Sequence, residues 1–208
     1  MNKKYSDNIY SYIRANRIKF LLVILSIFSG IIAGAILSAL SLSENFNDQY
    51  LNNFISAYNL QGAIPTEVFK NAMFSNLRLV FCVWVAGTFI WLSPLIIIEC
   101  LFKGFGIGYT IAYLSAVGGL KGFLLSALSL VIQNIIFIPA IIMFSVMQIN
   151  FSKKIYKLKN PSSQYRQRKK IITNNLCTFA LMLSIGTLCS VLEAYVVPVL
   201  IKPICGNF

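Results

Sequence analysis

Within its apolar stretches this 208-residue chain carries three polar side chains that could do chemistry: Gln133, Asn134 and Glu193. Hydrocarbon does not solvate a charge, so an ionisable residue inside a membrane span marks function or a paired interior site. A carboxylate there is neutral, paired with a cation, or part of an ion path. Arg78, near the start of another apolar stretch, lies at similar depth and is the expected partner of Glu193. Gln133 and Asn134 suit hydrogen bonds across helices better than a ligand site.

The rest of the inventory argues against catalysis. The chain has no histidine, so Ser-His and Cys-His nucleophile pairs, an HExxH zinc site and an imidazole relay are all excluded. Asp7 and Asp48 fall outside the apolar stretches, so no paired intramembrane aspartates exist. Glu44, Asp48 and Glu67 on one hydrophilic stretch are too few to enclose a polysaccharide. Cys82, Cys100, Cys177, Cys189 and Cys205 are scattered without a CxxC spacing, and read as inert, buried thiols rather than zinc ligands. Gly104-x-Gly106-x-Gly108 has the spacing of neither the dinucleotide fingerprint nor the P-loop. The expectation is a protein that is not an enzyme and holds no cofactor or metal.

The elements that must position these residues are membrane helices. Hydrophobic residues make up 57% of the chain, charged residues only 12%, and mean hydropathy is +0.73. A soluble domain carries roughly twice that share of charge. The sequence therefore predicts an all-α polytopic membrane protein, a single integral domain over residues 1–208 with five transmembrane helices. The spans are placed at 18–40, 77–98, 102–120, 121–148 and 172–201. Residues 1–17, with Tyr5, Ile9, Tyr12 and Ile13 at helical spacing among cations, read either as an amphipathic helix or as a solvated start to the first span. In the hydrophilic stretch 43–76, Phe46, Tyr50, Phe54 and Tyr58 recur every four residues and form an amphipathic helix with an aromatic, interfacial face. Pro94, Pro139 and Pro198 are expected to kink three helices.

Charge fixes the direction of each span. The net charge is +12, and the 149–171 segment holds eight cations and no acid. Lys153, Lys154, Lys157, Arg166, Arg168, Lys169 and Lys170 are among them, and by the positive-inside rule they are cytoplasmic. Their function is orientation and attraction to anionic lipid, not nucleic-acid binding. The basic N-terminus is also inside, and the acidic 43–76 loop is outside. The glycine-rich stretch from Lys103 to Phe123 must then cross the membrane, since otherwise the basic loop would face outward. Lys103 and Lys121 at its ends would snorkel to the head groups. The N-terminus is inside and the C-terminus outside. Gly104 and Gly108 give this span a smooth side for close packing, within the bundle or across a homodimer, and Gly30-x-x-x-Gly34 gives the first span another.

Several segments in this order resemble the stage II sporulation protein M family. They are Phe69-Lys70-Asn71 through Asn76-Leu77-Arg78, Gly104-Phe105-Gly106-Ile107-Gly108, Gly118-Gly119-Leu120-Lys121-Gly122, Gln133-Asn134 and Ile138-Pro139-Ala140. The resemblance implies a multi-pass protein of the mother-cell septal membrane that acts during engulfment in endospore formation. It further implies an anchor and scaffold that recruits two peptidoglycan hydrolases, sporulation proteins D and P. The Phe46/Tyr50/Phe54/Tyr58 face is the expected docking surface. The alternative reading is a transporter or lipid-handling permease, as a dimer, with Glu193, Gln133, Asn134 and the glycine face lining its path.

Overall fold

The computed structural model describes residues 10–41, 65–158 and 165–199. Among these residues the chain is helical, without strands. Helix α1 is Arg17–Ser41, preceded by a short helical lead-in at 10–15. Helix α2 is Pro65–Thr88, α3 is Ser93–Lys157, and α4 is Tyr165–Val191. Among the described residues four helices are long and apolar enough to cross a membrane. Tyr5, Ile9 and the aromatic set Phe46, Tyr50, Phe54 and Tyr58 lie outside the described residues.

Helix α3 is two arms rather than one rod. Gly119 alone departs from helical backbone angles, at φ 56°, ψ −138°, a conformation that only glycine adopts without strain. Beyond it the chain folds back. Gly122 rests against the Leu114 carbonyl so closely that a Cβ would overlap it. Further along, Cys100 Sγ meets Ser145 Oγ at 3.4 Å and Ser93 Oγ donates to Ser152 Oγ at 3.3 Å. One partner rises in number as the other falls, so arm α3a (93–118) and arm α3b (120–157) are antiparallel.

The same reading gives every other direction. Gly30 packs on the Leu101 carbonyl and Gly34 on that of Phe105, while Gly104 and Gly108 pack on the carbonyls of Ile27 and Ile31. Both numbers advance by four, so α1 and α3a run parallel, with two glycine pairs meshed backbone to backbone. Ser26 Oγ donates to the Ile97 carbonyl at 2.5 Å one turn earlier. Asn76 meets Gln133, and Gly87 meets Ser152, so α2 is parallel to α3b. Gly186 lies against Phe137 whereas Asn175 bonds Gln148, so α4 opposes α3b. Five helical runs thus alternate in direction. The glycine faces, open in the sequence between an intramolecular and a dimer contact, are used within the chain.

The helices extend beyond the spans read in the sequence at several ends, and the second one ends early. Helix α2 starts at Pro65 and so includes residues assigned to the outer loop. It stops at Thr88 rather than continuing to 98, because Phe89 is extended (φ −116°, ψ 130°) and a 3₁₀ turn, Ile90–Leu92, follows. Pro94 therefore opens α3 in its first turn, where a missing N–H has no partner to lose, and kinks nothing. Pro139 lies inside α3b without disturbing its backbone angles. Before Pro198, α4 widens into a π-turn, Leu192–Val196, where the Val197 N–H reaches the Leu192 carbonyl.

Burial follows the periodicity of each run. Val23 and Ile27 of α1, Val80 and Val83 of α2, and Phe137 and Ile141 of α3b meet in one apolar core. The outward faces carry large apolar side chains too, such as Leu25, Phe28, Ile32, Phe81, Ile135 and Leu188, while Asn76, Gln133, Gln148 and Asn175 are buried. Apolar outside and polar inside is the arrangement of a chain dissolved in lipid.

The glycine contact is directly testable. A Cβ at Gly104 or Gly108 meets α1 backbone, whereas one at Gly106 meets nothing within 4 Å. Overpacking costs about 1–3 kcal/mol, while Gly→Ala in an open helix gains up to about 1 kcal/mol. Gly104→Ala and Gly108→Ala should lower the melting temperature in detergent, and Gly106→Ala should hold or raise it. Equal behaviour of all three would remove the meshed contact.

Candidate functional site

The site grows from residues that helical spacing turns to the middle of the bundle. On α2, Ala72, Asn76, Val80 and Val83 share the inner face. On α3b that face carries Gln133, Phe137, Ile141 and Phe144, and on α4 it carries Met182, Cys189 and Ser190. Asn76 sits where the three meet and is 1% exposed. Its Nδ2 donates to Ser190 Oγ at 3.1 Å, and its Oδ1 accepts from Gln133 Nε2 at a long 3.4 Å. Ser190 donates in turn to the Gly186 carbonyl at 2.9 Å. One asparagine thus links three helices.

Lys103 supplies the charge. It follows Phe102 and precedes Gly104, so with Gly104 against α1, Lys103 turns toward α3b and α4. Its Nζ stands 5.0 Å from the centroid of Phe137, a ring with no exposed surface. This corrects the expectation that Lys103 snorkels to the head groups. Glu193 and Cys189 are within electrostatic reach of the same ammonium. Glu193 belongs to the π-turn, whose extra residue shifts the inner face of α4, and it is half-buried. An aromatic face under the cation and a carboxylate nearby both offset part of the cost of keeping charge in low dielectric.

The remaining predicted residues fall elsewhere. Arg78, expected beside Glu193, is exposed and approaches Cys82, as Glu99 of α3a also does. Asn134 is buried but donates to the Leu130 carbonyl of its own helix at 2.8 Å, so it does not bridge helices as Gln133 does. One residue further along a helix points about 100° away, which separates the two amides. Cys100 and Cys189 are buried as expected, Cys82 is half-buried, and Cys177 is exposed. Lys153, Lys154 and Lys157 end α3b, and Arg166, Arg168, Lys169 and Lys170 start α4, all exposed.

Those cations share one end of the bundle with the start of α1. Asn150 donates through Nδ2 to Tyr12 Oη at 2.8 Å and to Asn16 Oδ1 at 3.0 Å, and Lys19 Nζ donates to Asn150 Oδ1. This clasp joins the lead-in to α3b. No periodicity in the sequence marks it, because its members lie 131 or more positions apart. Nothing local marks Asn76 and Ser190 either, small polar residues whose importance comes only from meeting.

Chemically the centre is a clamp. It offers neutral interhelical hydrogen bonds and one charge-bearing pair. No group of three or more Cys, Asp or Glu that could hold a metal occurs among the described residues. If Lys103 and Glu193 stabilise one another, Lys103→Met and Glu193→Gln should each lower the melting temperature. The double variant should lose less than the sum, with a coupling of about 0.5–3 kcal/mol. Strict additivity would separate the two residues. Asn76→Val, which breaks two interhelical bonds, should cost about 1–2 kcal/mol.

No curated protein and no solved structure gives a significant match. A family model described as stage II sporulation protein M matches residues 21–198, with both glycine pairs, the α3 hairpin and the whole polar centre inside the matched range. Most of the chain is covered. The protein belongs to the stage II sporulation protein M family, a family of sporulation-related membrane proteins.

Proposed function

We propose that this chain is a five-span membrane anchor that holds peptidoglycan-degrading partners at the mother-cell septal membrane during engulfment. The observation that carries the reading is family membership across residues 21–198. The alternating directions of the five helical runs support five crossings, with α3 supplying two through its turn at Gly119. Gathering of the cations at one end of the bundle supports a cytoplasmic N-terminus and an outer C-terminus. Under this orientation the Gly119 turn and the 43–64 stretch face the cell wall, as does the C-terminus.

The role is non-catalytic. Its support is a sequence without histidine and a centre in which Asn76, Gln133 and Ser190 are hydrogen-bonded between helices. The wall chemistry belongs to the partners, sporulation proteins D and P, and the Phe46/Tyr50/Phe54/Tyr58 face is the proposed place where they dock. A second reading, a permease acting as a dimer, draws on one observation, the Lys103–Glu193 charges inside the bundle. Reconstituted flux abolished by Glu193→Gln would favour it.

Two measurements test the anchor. In a cysteine-free background, Val117→Cys beside the turn should react with an impermeant maleimide in intact cells stripped of their wall. Lys157→Cys should react only after lysis. Reaction of both from one side would end the five-span topology. Affinity capture of the full chain from sporulating cells should recover the two hydrolases, and deletion of 45–58 should abolish recovery. Capture without any hydrolase would end the anchor reading.

A further inference from the structure

At the basic end of the bundle, α2, α3b and α4 leave a cleft of about 250 Å³. Trp84 and Thr88 form one wall, Phe151 and Ile155 the second, and Ile172 and Leu176 the third. Behind it, Gln148 Nε2 donates to Oδ1 of the lining residue Asn175 at 2.7 Å. The volume lies below the roughly 300–1,000 Å³ of pockets for compact ligands. A helix about 10 Å across does not enter it. A single flexible hydrocarbon chain does.

What stands at the mouth selects the rest of the occupant. Arg168 and Lys169 precede Ile172 by four and three residues, so they occupy the same face of α4 one turn nearer the basic end. On α3b, Lys154 follows the lining residue Phe151 by three, on the same side of the helix and one turn nearer the basic end. No acidic residue occurs between Asn150 and Asn175. Just past the end of α2, Phe89 is 58% exposed and Trp91 90% exposed, aromatic anchors of the kind that sit at head-group level. The cleft therefore lies in the acyl region of the leaflet, with the cations at phosphate level. The Trp84 indole N–H is buried and has no acceptor among the described residues.

We propose that this cleft holds one acyl chain of an anionic phospholipid, with its phosphate on the cations of α3b and α4. This is a one-to-one site, unlike diffuse attraction of a basic loop to a charged surface. It depends only on the chain being in a bilayer, not on which partners it recruits.

Native mass spectrometry of the full chain, released from nanodiscs of phosphatidylglycerol or of phosphatidylcholine with identical acyl chains, tests the site. One phosphatidylglycerol per chain should be retained, at least tenfold more persistently than phosphatidylcholine. Leu176→Trp and Ile172→Trp plug the cleft at positions 55% and 46% exposed, so the core is untouched. In whichever plugged variant keeps the wild-type melting temperature, the retained lipid should be lost. The double variant Arg168→Ala/Lys169→Ala should bring the two lipids to equal retention. Wild-type retention in a folded plugged variant, or equal retention of both lipids by the wild type, would overturn the proposal.

Discussion

Everything in this bundle depends on how closely α1 and α3a approach. Two helices in lipid gain nothing from hiding apolar surface, since the acyl chains are as apolar as the side chains. What holds them is dispersion and weak Cα–H···O contact, both steep in distance. Gly30 and Gly34 of α1, meshed with Gly104 and Gly108 of α3a, remove the side chains that would keep the backbones apart. Ser26 and Ser38 extend the small face at four-residue steps, and both are buried.

That contact also determines where the charge goes. Gly104 commits one face of α3a to α1, and the next side of the helix then faces the remaining three runs. Lys103 occupies that side and meets the Phe137 ring. The polar centre and the glycine mesh are therefore adjacent consequences of one helix rotation. A bundle that rotated α3a to free its glycines would expose Lys103 to hydrocarbon, so the two features restrain each other.

How much of this could be read from residues alone follows the range of each signal. Apolar runs, the basic segment and the glycine spacing are local, and they gave the helical class, the gathering of cations and a smooth-sided α3a. Gln133 was legible as an interhelical donor because an amide inside an apolar run has few other uses. Its partner was not, since Asn76 lies 57 positions away and looks like any helix-start asparagine. Arg78 was matched to Glu193 by depth, and depth leaves the angular position around a helix open; the Lys103 ammonium, which depth did not suggest, lies within electrostatic reach of that carboxylate. Pro94 misled for a related reason: proline breaks a helix or begins one, and only the extended Phe89 upstream decides between them.

The turn at Gly119 has a bearing on how the chain is made. Between Gly104 and Ser152 the only charged residue is Lys121, two positions past the turn. Under the proposed orientation, translocating this half of the molecule means carrying a single ammonium across. A lysine at mid-bilayer costs about 3 kcal/mol on insertion scales, a small opposition beside two apolar arms. The α3 hairpin is thus suited to enter the bilayer as one unit. Meanwhile α1, synthesised earlier, waits in lipid with its glycine face uncovered until the hairpin arrives.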